Sequence, residues 1–335
     1  EVVVIDPFTN ESFITKEGVK ILHVPHWNKG LPGLRMLQYR IPRLYKLFVQ
    51  QKADYYYVRM RSYLNLISYF GAKKVKGKFL LALASDIDLL SLRDKYKYEY
   101  KPSFKLSKYL TYWLPNDIVY KYIFKRADYI LRQHSGQPVK PDMTKGKVIM
   151  FPNIIDRKNL PQADNFEKNY LIYVGSLTSV KGADKLYKIV SGIDKSKSVM
   201  IVGQPNDASA IPIFEQLKQL ENADIKGRMK HSDTVQLMAN AKALINTSEY
   251  EGFPNVFLEA WSIGIPVLSL KVNPGNIFDQ YELGVCFKND LEKMKEYINQ
   301  NEVNEVSKEK MLSYVKEHHD FNTAAERFMA ALNNT

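Results

Sequence analysis

The sequence predicts an α/β protein of two doubly wound domains, each built on a parallel sheet and facing the other across a cleft. Three observations carry that expectation. Short apolar, β-branched or aromatic runs alternate with helix-length stretches along the whole chain, the pattern of parallel strands covered on both faces. The 335 residues exceed what a single core usually organises. A polar break near residues 153–168 separates two such alternating series.

Taken in order, the strands expected in the first half are Val2–Ile5, Lys20–Val24, Tyr55–Val58, Phe79–Ala84, Tyr129–Arg132 and Val148–Phe151. Those expected in the second half are Tyr170–Val174, Ser198–Val202, Ala243–Asn246, Val267–Leu270 and a weaker Val285–Phe287. Asp184–Ile193, Ile211–Glu221, Asp233–Ala239 and Phe257–Ile263 read as the helices between them, and Val303–His318 and Asn322–Asn333 as the last two. The domains are therefore expected at 1–155 and 156–318, with a C-terminal helix in 319–335 packing back on the first. Glu1 opens directly on the strand-like EVVVID, without a preceding βα unit, so the first domain is expected to lack its first strand and helix.

Hydrophobic residues make up 45% and charged residues 25%, an ordinary globular mixture. No apolar run approaches the roughly 18 residues of a spanning helix. The single cysteine, Cys286, excludes an internal disulfide and fits a reducing compartment, so a cytoplasmic location is expected. Charge is uneven: residues 1–155 hold 27 Lys and Arg against 12 Asp and Glu, whereas 156–335 hold 21 against 24. A basic first half points to an anionic partner.

The stretch 248–270, SEYEGFPNVFLEAWSIGIPVLSL, concentrates the chemistry. Pro254 suits a helix start, Phe257, Ala260, Trp261 and Gly264 form one buried stripe, and Gly264 with Pro266 stops the helix. The free N–H groups and positive dipole end of such a helix make an anion site. Glu259, one turn in, leans back towards the opening that Glu251 borders. Two carboxylates beside a phosphate site suit a ligand with hydroxyls on both sides of a phosphate, the form of a sugar nucleotide.

These residues closely resemble the E-x7-E signature of glycosyltransferase family 4, retaining enzymes of the GT-B fold with two Rossmann-like domains. Tyr173-Val-Gly175-Ser-Leu177 with Lys181-Gly182, Ile225-Lys-Gly227-Arg228-Met229, Phe151-Pro-Asn153-Ile-Ile-Asp156 and Arg126-Ala-Asp128-Tyr resemble further family segments, so the likeness spans nearly the whole chain. The resemblance implies that Glu259 accepts hydrogen bonds from the ribose and Glu251 contacts the transferred sugar. It also implies that the turn Gly252, Phe253, Pro254, Asn255 and Val256 holds the distal phosphate. Gly175 would approach the diphosphate closely, and Lys181 would offset charge on the leaving group. Ser176 stands where the family usually has arginine, and Arg228 is a candidate to compensate. Glu251 and Lys181 are thus the catalytic expectations, with no metal and no cofactor beyond the UDP- or GDP-sugar donor.

On the acceptor side, Ser85-Asp86-Ile87-Asp88 closes a strand. A D-x-D is also the metal–diphosphate element of the other glycosyltransferase fold, but the two-domain layout argues against that fold, and Asp86 and Asp88 are kept as acceptor-side candidates. Residues 93–126 interleave nine Lys and Arg with ten aromatics, a composition suited to sugar stacking or an anionic membrane surface, and Arg35, Arg40, Arg43, Lys46 and Lys52 extend the basic character. The expected acceptor is a saccharide or lipid-linked saccharide in surface polysaccharide biosynthesis, handled at the inner face of the cytoplasmic membrane. No nucleic-acid motif accompanies the basic stretch. His134 and Ser135 follow a strand without an evident acid for a hydrolase triad, and no G-x-G-x-x-G follows a strand, which disfavours a dehydrogenase. An epimerase or hydrolase of the same fold and a sugar-nucleotide-binding protein without turnover remain the alternatives.

Overall fold

The computed structural model describes residues 1–31, 34–96, 105–157, 160–161, 169–300 and 306–333. The chain divides into two compact units, the first comprising Glu1–Ala84, Leu110–Leu131 and Val139–Val148, the second Ser85–Tyr109, Arg132–Pro138 and Ile149–Thr335. Segments 85–109, 132–138 and 149–155, kept in the first domain by the sequence reading, belong to the second unit. So does the Phe321–Asn333 helix, where the Phe328 and Phe151 rings lie 4.4 Å apart. Most of the polar break lies outside the described residues.

In the first unit, β1 (Val3–Asp6), β2 (Phe13–Ile14) and β3 (Lys20–His23) make one small sheet, with β1–β3 parallel and β2–β3 antiparallel. Next, β4 (Tyr55–Arg59), β5 (Lys78–Ala82), β6 (Tyr129–Arg132) and β7 (Lys147–Met150) form a second sheet in chain order, parallel across β4, β5 and β6. The sequence pattern predicts a single parallel sheet here; the two-residue β2, with both residues exposed, has no apolar alternation to announce it.

The second unit is built on β8 (Tyr170–Val174), β9 (Ser198–Val202), β10 (Ala223–Gly227), β11 (Ala241–Asn246), β12 (Val267–Ser269) and β13 (Gly284–Cys286). Among the described residues these pair in parallel in the order β10-β9-β8-β11-β12-β13. Numbered from β8, that is the 3-2-1-4-5-6 order of a dinucleotide-type sheet, which reverses between β8 and β11. Helices cover both faces, so successive residues of one strand enter opposite cores. Ile172 packs with Phe257 and Trp261, whereas Leu171 and Tyr173 pack with Leu186 and Ile189. That double burial is why these strands read as continuous apolar runs.

The helix that follows β11 runs from Asn255 to Ser262. Pro254 precedes it as the capping residue, with extended backbone. Phe257, Leu258, Ala260 and Trp261 are buried against the sheet, and Trp261 Nε1 donates to the Leu283 carbonyl at 2.8 Å. At its C-terminus Gly264 N–H reaches the Trp261 carbonyl and Ile265 N–H the Ala260 carbonyl, a Schellman closure. Gly264 adopts φ +77°, as that closure requires.

Candidate functional site

Ligands of doubly wound sheets bind beyond the carboxyl ends of the strands where the order reverses. In this unit that place lies between the loops that leave β8 and β11, and it is where the sequence-predicted residues gather. Beyond β11, Thr247 Oγ1 donates to the Lys181 carbonyl at 2.8 Å, and Glu249 N–H donates to the Val180 carbonyl at 2.8 Å. The approach is so close that a Cβ on Gly182, at φ +68°, would lie 2.1 Å from the Thr247 carbonyl oxygen. Glycine at that position therefore lets the two loops meet.

Their meeting pairs the two catalytic expectations with each other. Lys181 Nζ donates to Glu251 Oε1, which also accepts from Ser248 Oγ at 2.9 Å. The sequence reading assigns these side chains to different parts of a ligand; the lacing of the two loops puts them in one ion pair. Behind it Glu249 is held by Lys185 and Lys271. Burial would raise its carboxyl, but hydrogen bonds from those two lysines prevail and lower it. Tyr173 lies beneath: burial first, and the Glu251 charge second, push its phenol up, and its hydroxyl donates to the Ser176 carbonyl at 3.3 Å.

Gly175, Ser176 and Arg228 line one pocket of about 360 Å³ with Gly203, Gln204, Asn206 and Thr234. A Cβ on Gly203 would lie 1.9 Å from the Gly175 carbonyl oxygen, so the floor of the pocket depends on glycine there. Arg228 is exposed and makes no ion pair among the described residues. Glu259 is mostly buried, and its Oε1 lies 3.0 Å from Nε2 of His231, which opens the helix after β10.

The turn Gly252–Val256 is not free along its whole length. Phe253 N–H, expected to meet phosphate, instead donates to Gln133 Oε1 at 3.0 Å. The Phe253 carbonyl and Asn255 Oδ1 both accept from Asn153 Nδ2 at 2.8 Å. Asn255 and Val256 open the helix and have no carbonyl a turn back to accept their N–H groups, so the anion-binding capacity rests on them.

The two acceptor-side candidates separate. Asp88 is buried and accepts the Ser85 N–H at 3.2 Å, closing the cap of a short 3₁₀ turn. Asp86 reaches the site: its N–H donates to the Glu251 carbonyl at 3.5 Å, and its Oδ1 lies 3.1 Å from Gln137 Nε2 and 3.3 Å from His134 Nε2. An acid thus does stand beside His134. Neither ring nitrogen of His134 is hydrogen-bonded among the described residues, so a hydroxyl–imidazole–carboxylate relay is not assembled there. Among the described residues no group of three or more His, Cys, Asp or Glu is placed to hold a metal.

Sequence reading missed Gln133 and Gly203, and gave His319 only a core or surface role in a tail helix. Each is an isolated polar residue or glycine at a strand or helix end, and only Gly203, following an apolar strand, left a signal. Asn153 was noticed within its string, not for what it holds.

Residues 156–319 match the family model of glycosyl transferases group 1. An uncharacterized glycosyltransferase of Methanocaldococcus jannaschii is 25% identical over 177 residues, 47% of this chain and 43% of that protein. The chain spans less than half the length of the curated relatives it matches. Among solved structures, the sucrose-phosphate synthase of Thermosynechococcus elongatus is similar at a TM-score of 0.72 and 14% identity, over 99% of this chain and 88% of that one. Anabaena HepE in complex with UDP and glucose is similar at 0.68 and 14%, over 95% and 86%. The lipopolysaccharide outer core galactosyltransferase WaaB is similar at 0.60 and 19%, over 95% and 85%. The chain has the GT-B fold of two Rossmann-like α/β domains, and its segment 156–319 matches the glycosyl transferases group 1 family.

Proposed function

We propose that this protein is a retaining glycosyltransferase that moves a sugar from a nucleoside diphosphate sugar to a saccharide or lipid-linked saccharide acceptor. The observation that carries the reading is the Lys181–Glu251 pair set beside the start of the Asn255–Ser262 helix, with Glu259 one turn further in. In this reading Glu259 accepts the ribose hydroxyls, displacing His231, and Glu251 orients the transferred sugar. The bond between the anomeric carbon and the leaving phosphate oxygen breaks, its electron pair passing to that oxygen. Lys181 and the Asn255 and Val256 N–H groups stabilise the resulting charge, with Arg228 supplying the cation that Ser176 does not. The acceptor hydroxyl attacks from the face the phosphate leaves, and its proton goes to the departing phosphate. Cations and helix N–H groups suffice for this step, so the reading requires no metal.

The UDP complex of HepE and the lipopolysaccharide substrate in the name of WaaB support a UDP-sugar donor and a surface-polysaccharide acceptor. Peripheral contact with an anionic membrane is part of the same proposal. The test is a titration of UDP and GDP into wild-type and Glu259→Ala protein. Loss of charged hydrogen-bond acceptors should weaken the preferred nucleotide at least about tenfold; equal affinity in the two proteins would sink the ribose assignment. Donor binding with neither transfer nor release of free sugar would favour the binding-protein alternative, and release without an acceptor the hydrolase.

A further inference from the structure

Phe253 is the one residue of the Gly252–Val256 turn whose peptide groups are both taken by side chains. Its N–H donates to Gln133 Oε1 at 3.0 Å and its carbonyl accepts from Asn153 Nδ2 at 2.8 Å. The two carboxamides are themselves joined, Gln133 Nε2 donating to Asn153 Oδ1 at 2.7 Å. The result is a closed circuit in which two amide side chains hold the N–H and the carbonyl of one residue, as a neighbouring strand would. Gln133 is 4% exposed and Phe253 5%, so little water reaches the circuit to substitute for a lost partner.

Each amide is fixed in turn. Gln133 N–H donates to Gln137 Oε1 at 2.7 Å, and Gln137 Nε2 reaches Asp86 Oδ1 at 3.1 Å. The Asn153 carbonyl lies 2.6 Å from Nδ1 of His319, whose Nε2 lies 3.2 Å from the Tyr314 hydroxyl. A carbonyl can only accept, so Nδ1 carries the proton and Nε2 takes the Tyr314 O–H. Burial first holds the His319 pKa down, to about 4, which keeps that neutral tautomer in place at ordinary pH. The His319 ring also packs on the Phe253 ring, with centroids 4.7 Å apart.

We infer that Gln133 and Asn153, backed by His319, are positioning residues that fix the backbone on both sides of Phe253 and thereby aim the Asn255 and Val256 N–H groups at a bound diphosphate. The inference rests on the proposed donor reading for its ligand, but not for its geometry. A hydrogen-bonded pair of amides costs nothing to reorganise when the ligand arrives, which is how a turn is kept ready for a charged group. The same circuit links the turn through Gln137 to Asp86, so donor turn and acceptor-side candidate share one frame.

The test is Gln133→Glu. As a carboxylate, the new side chain still accepts Phe253 N–H but faces Asn153 Oδ1 with a second acceptor, and the circuit breaks. As a carboxylic acid it has one acceptor and one donor, the pattern of the amide it replaces. Burial raises the pKa of such a carboxyl, so lowering the pH from 8 to 5 should restore the circuit. Among the described residues the other titratable or charged groups around it are Asp86, Arg132, His134, Glu251, Tyr314 and His319, and they are common to both proteins. UDP affinity by calorimetry should be about tenfold weaker than wild type at pH 8 and near wild type at pH 5. Amide exchange of a 250–257 peptide in ligand-free protein should be faster than wild type at pH 8 only, with a peptide of the Leu291–Asn299 helix unchanged as the fold control. Should this variant not fold, Gln133→Met removes both bonds at similar volume, and its 250–257 exchange should be raised at both pH values. Exchange equal to wild type at pH 8 in either variant overturns the inference. If wild-type protein binds neither UDP nor GDP, the donor reading falls, and the exchange result alone still decides the circuit.

Discussion

At the scale of single residues, the proposed mechanism rests on Lys181, which the Glu251 carboxylate holds in an ion pair. A half-buried ammonium and carboxylate satisfy each other, and under the proposed mechanism a donor diphosphate competes for the lysine. Lys181→Ala removes that cation and leaves Glu251 Oε1 with Ser248 Oγ alone among the described residues. Under the proposed mechanism kcat should fall about 10²–10³-fold, the cost of losing one group that stabilises developing charge, with a smaller change in donor KM. Lys181→Arg should recover part of it. Steady-state rates with the donor found by the nucleotide titration check this, and an unchanged kcat would remove Lys181 from the chemistry. Both residues were legible from sequence because each sits in a dense string of strand end, glycine and helix start. Their pairing was not, because it depends on how closely Gly182 lets two distant loops approach. Gln133 was illegible for the opposite reason: a lone glutamine at the end of an apolar strand has no spacing to betray it.

At the scale of elements, strands buried on both faces were readable to within about two residues at each end. Tyr170–Val174 and Ser198–Val202 fall where the apolar runs predict them. β10 was missed because it lies at the sheet edge, where alternate residues of ADIKG face water and the apolar run is lost. The Asn255–Ser262 helix was legible at its C-terminus for a conformational reason. Gly264 sits at φ +77°, and a Cβ there would also lie 2.4 Å from Lys308 Cγ. Gly264→Ala should therefore cost about 1–2 kcal/mol and lower Tm by a few degrees. Gly264→Asn should cost less, since asparagine tolerates the left-handed region better. Thermal unfolding of the two variants decides it: equal losses would assign the cost to the Lys308 contact, and no loss in either would show that the closure contributes nothing measurable.

At the scale of the whole molecule, charge is the property that separates the two halves, and it was readable by counting. What counting could not say is where the basic and apolar groups are presented. No described helix is long and apolar enough to cross a membrane. In the first unit, the helical run that includes Leu114–Phe124 presents Leu110, Ile118 and Tyr122 to solvent at multiples of four residues, with Lys121 and Lys125 exposed beside them. Residues 97–104 of the basic–aromatic stretch lie outside the described residues. An exposed apolar stripe edged by lysines fits the headgroup layer of an anionic bilayer, where each cation near the surface contributes about 1 kcal/mol. The proposed membrane contact then has a definite form. Wild-type protein should sediment with vesicles containing about a third anionic lipid at low salt, since the surface potential acts within a Debye length of about 10 Å at 0.1 M. It should release at about 0.5 M salt and ignore vesicles of neutral lipid. The double substitution Lys121→Glu, Lys125→Glu should abolish most of the low-salt binding while leaving UDP affinity unchanged, because these residues belong to the first unit and the pocket proposed for the nucleotide to the second. No sedimentation of wild-type protein at low salt would end the membrane proposal, and binding that survives high salt would assign it to the apolar stripe alone.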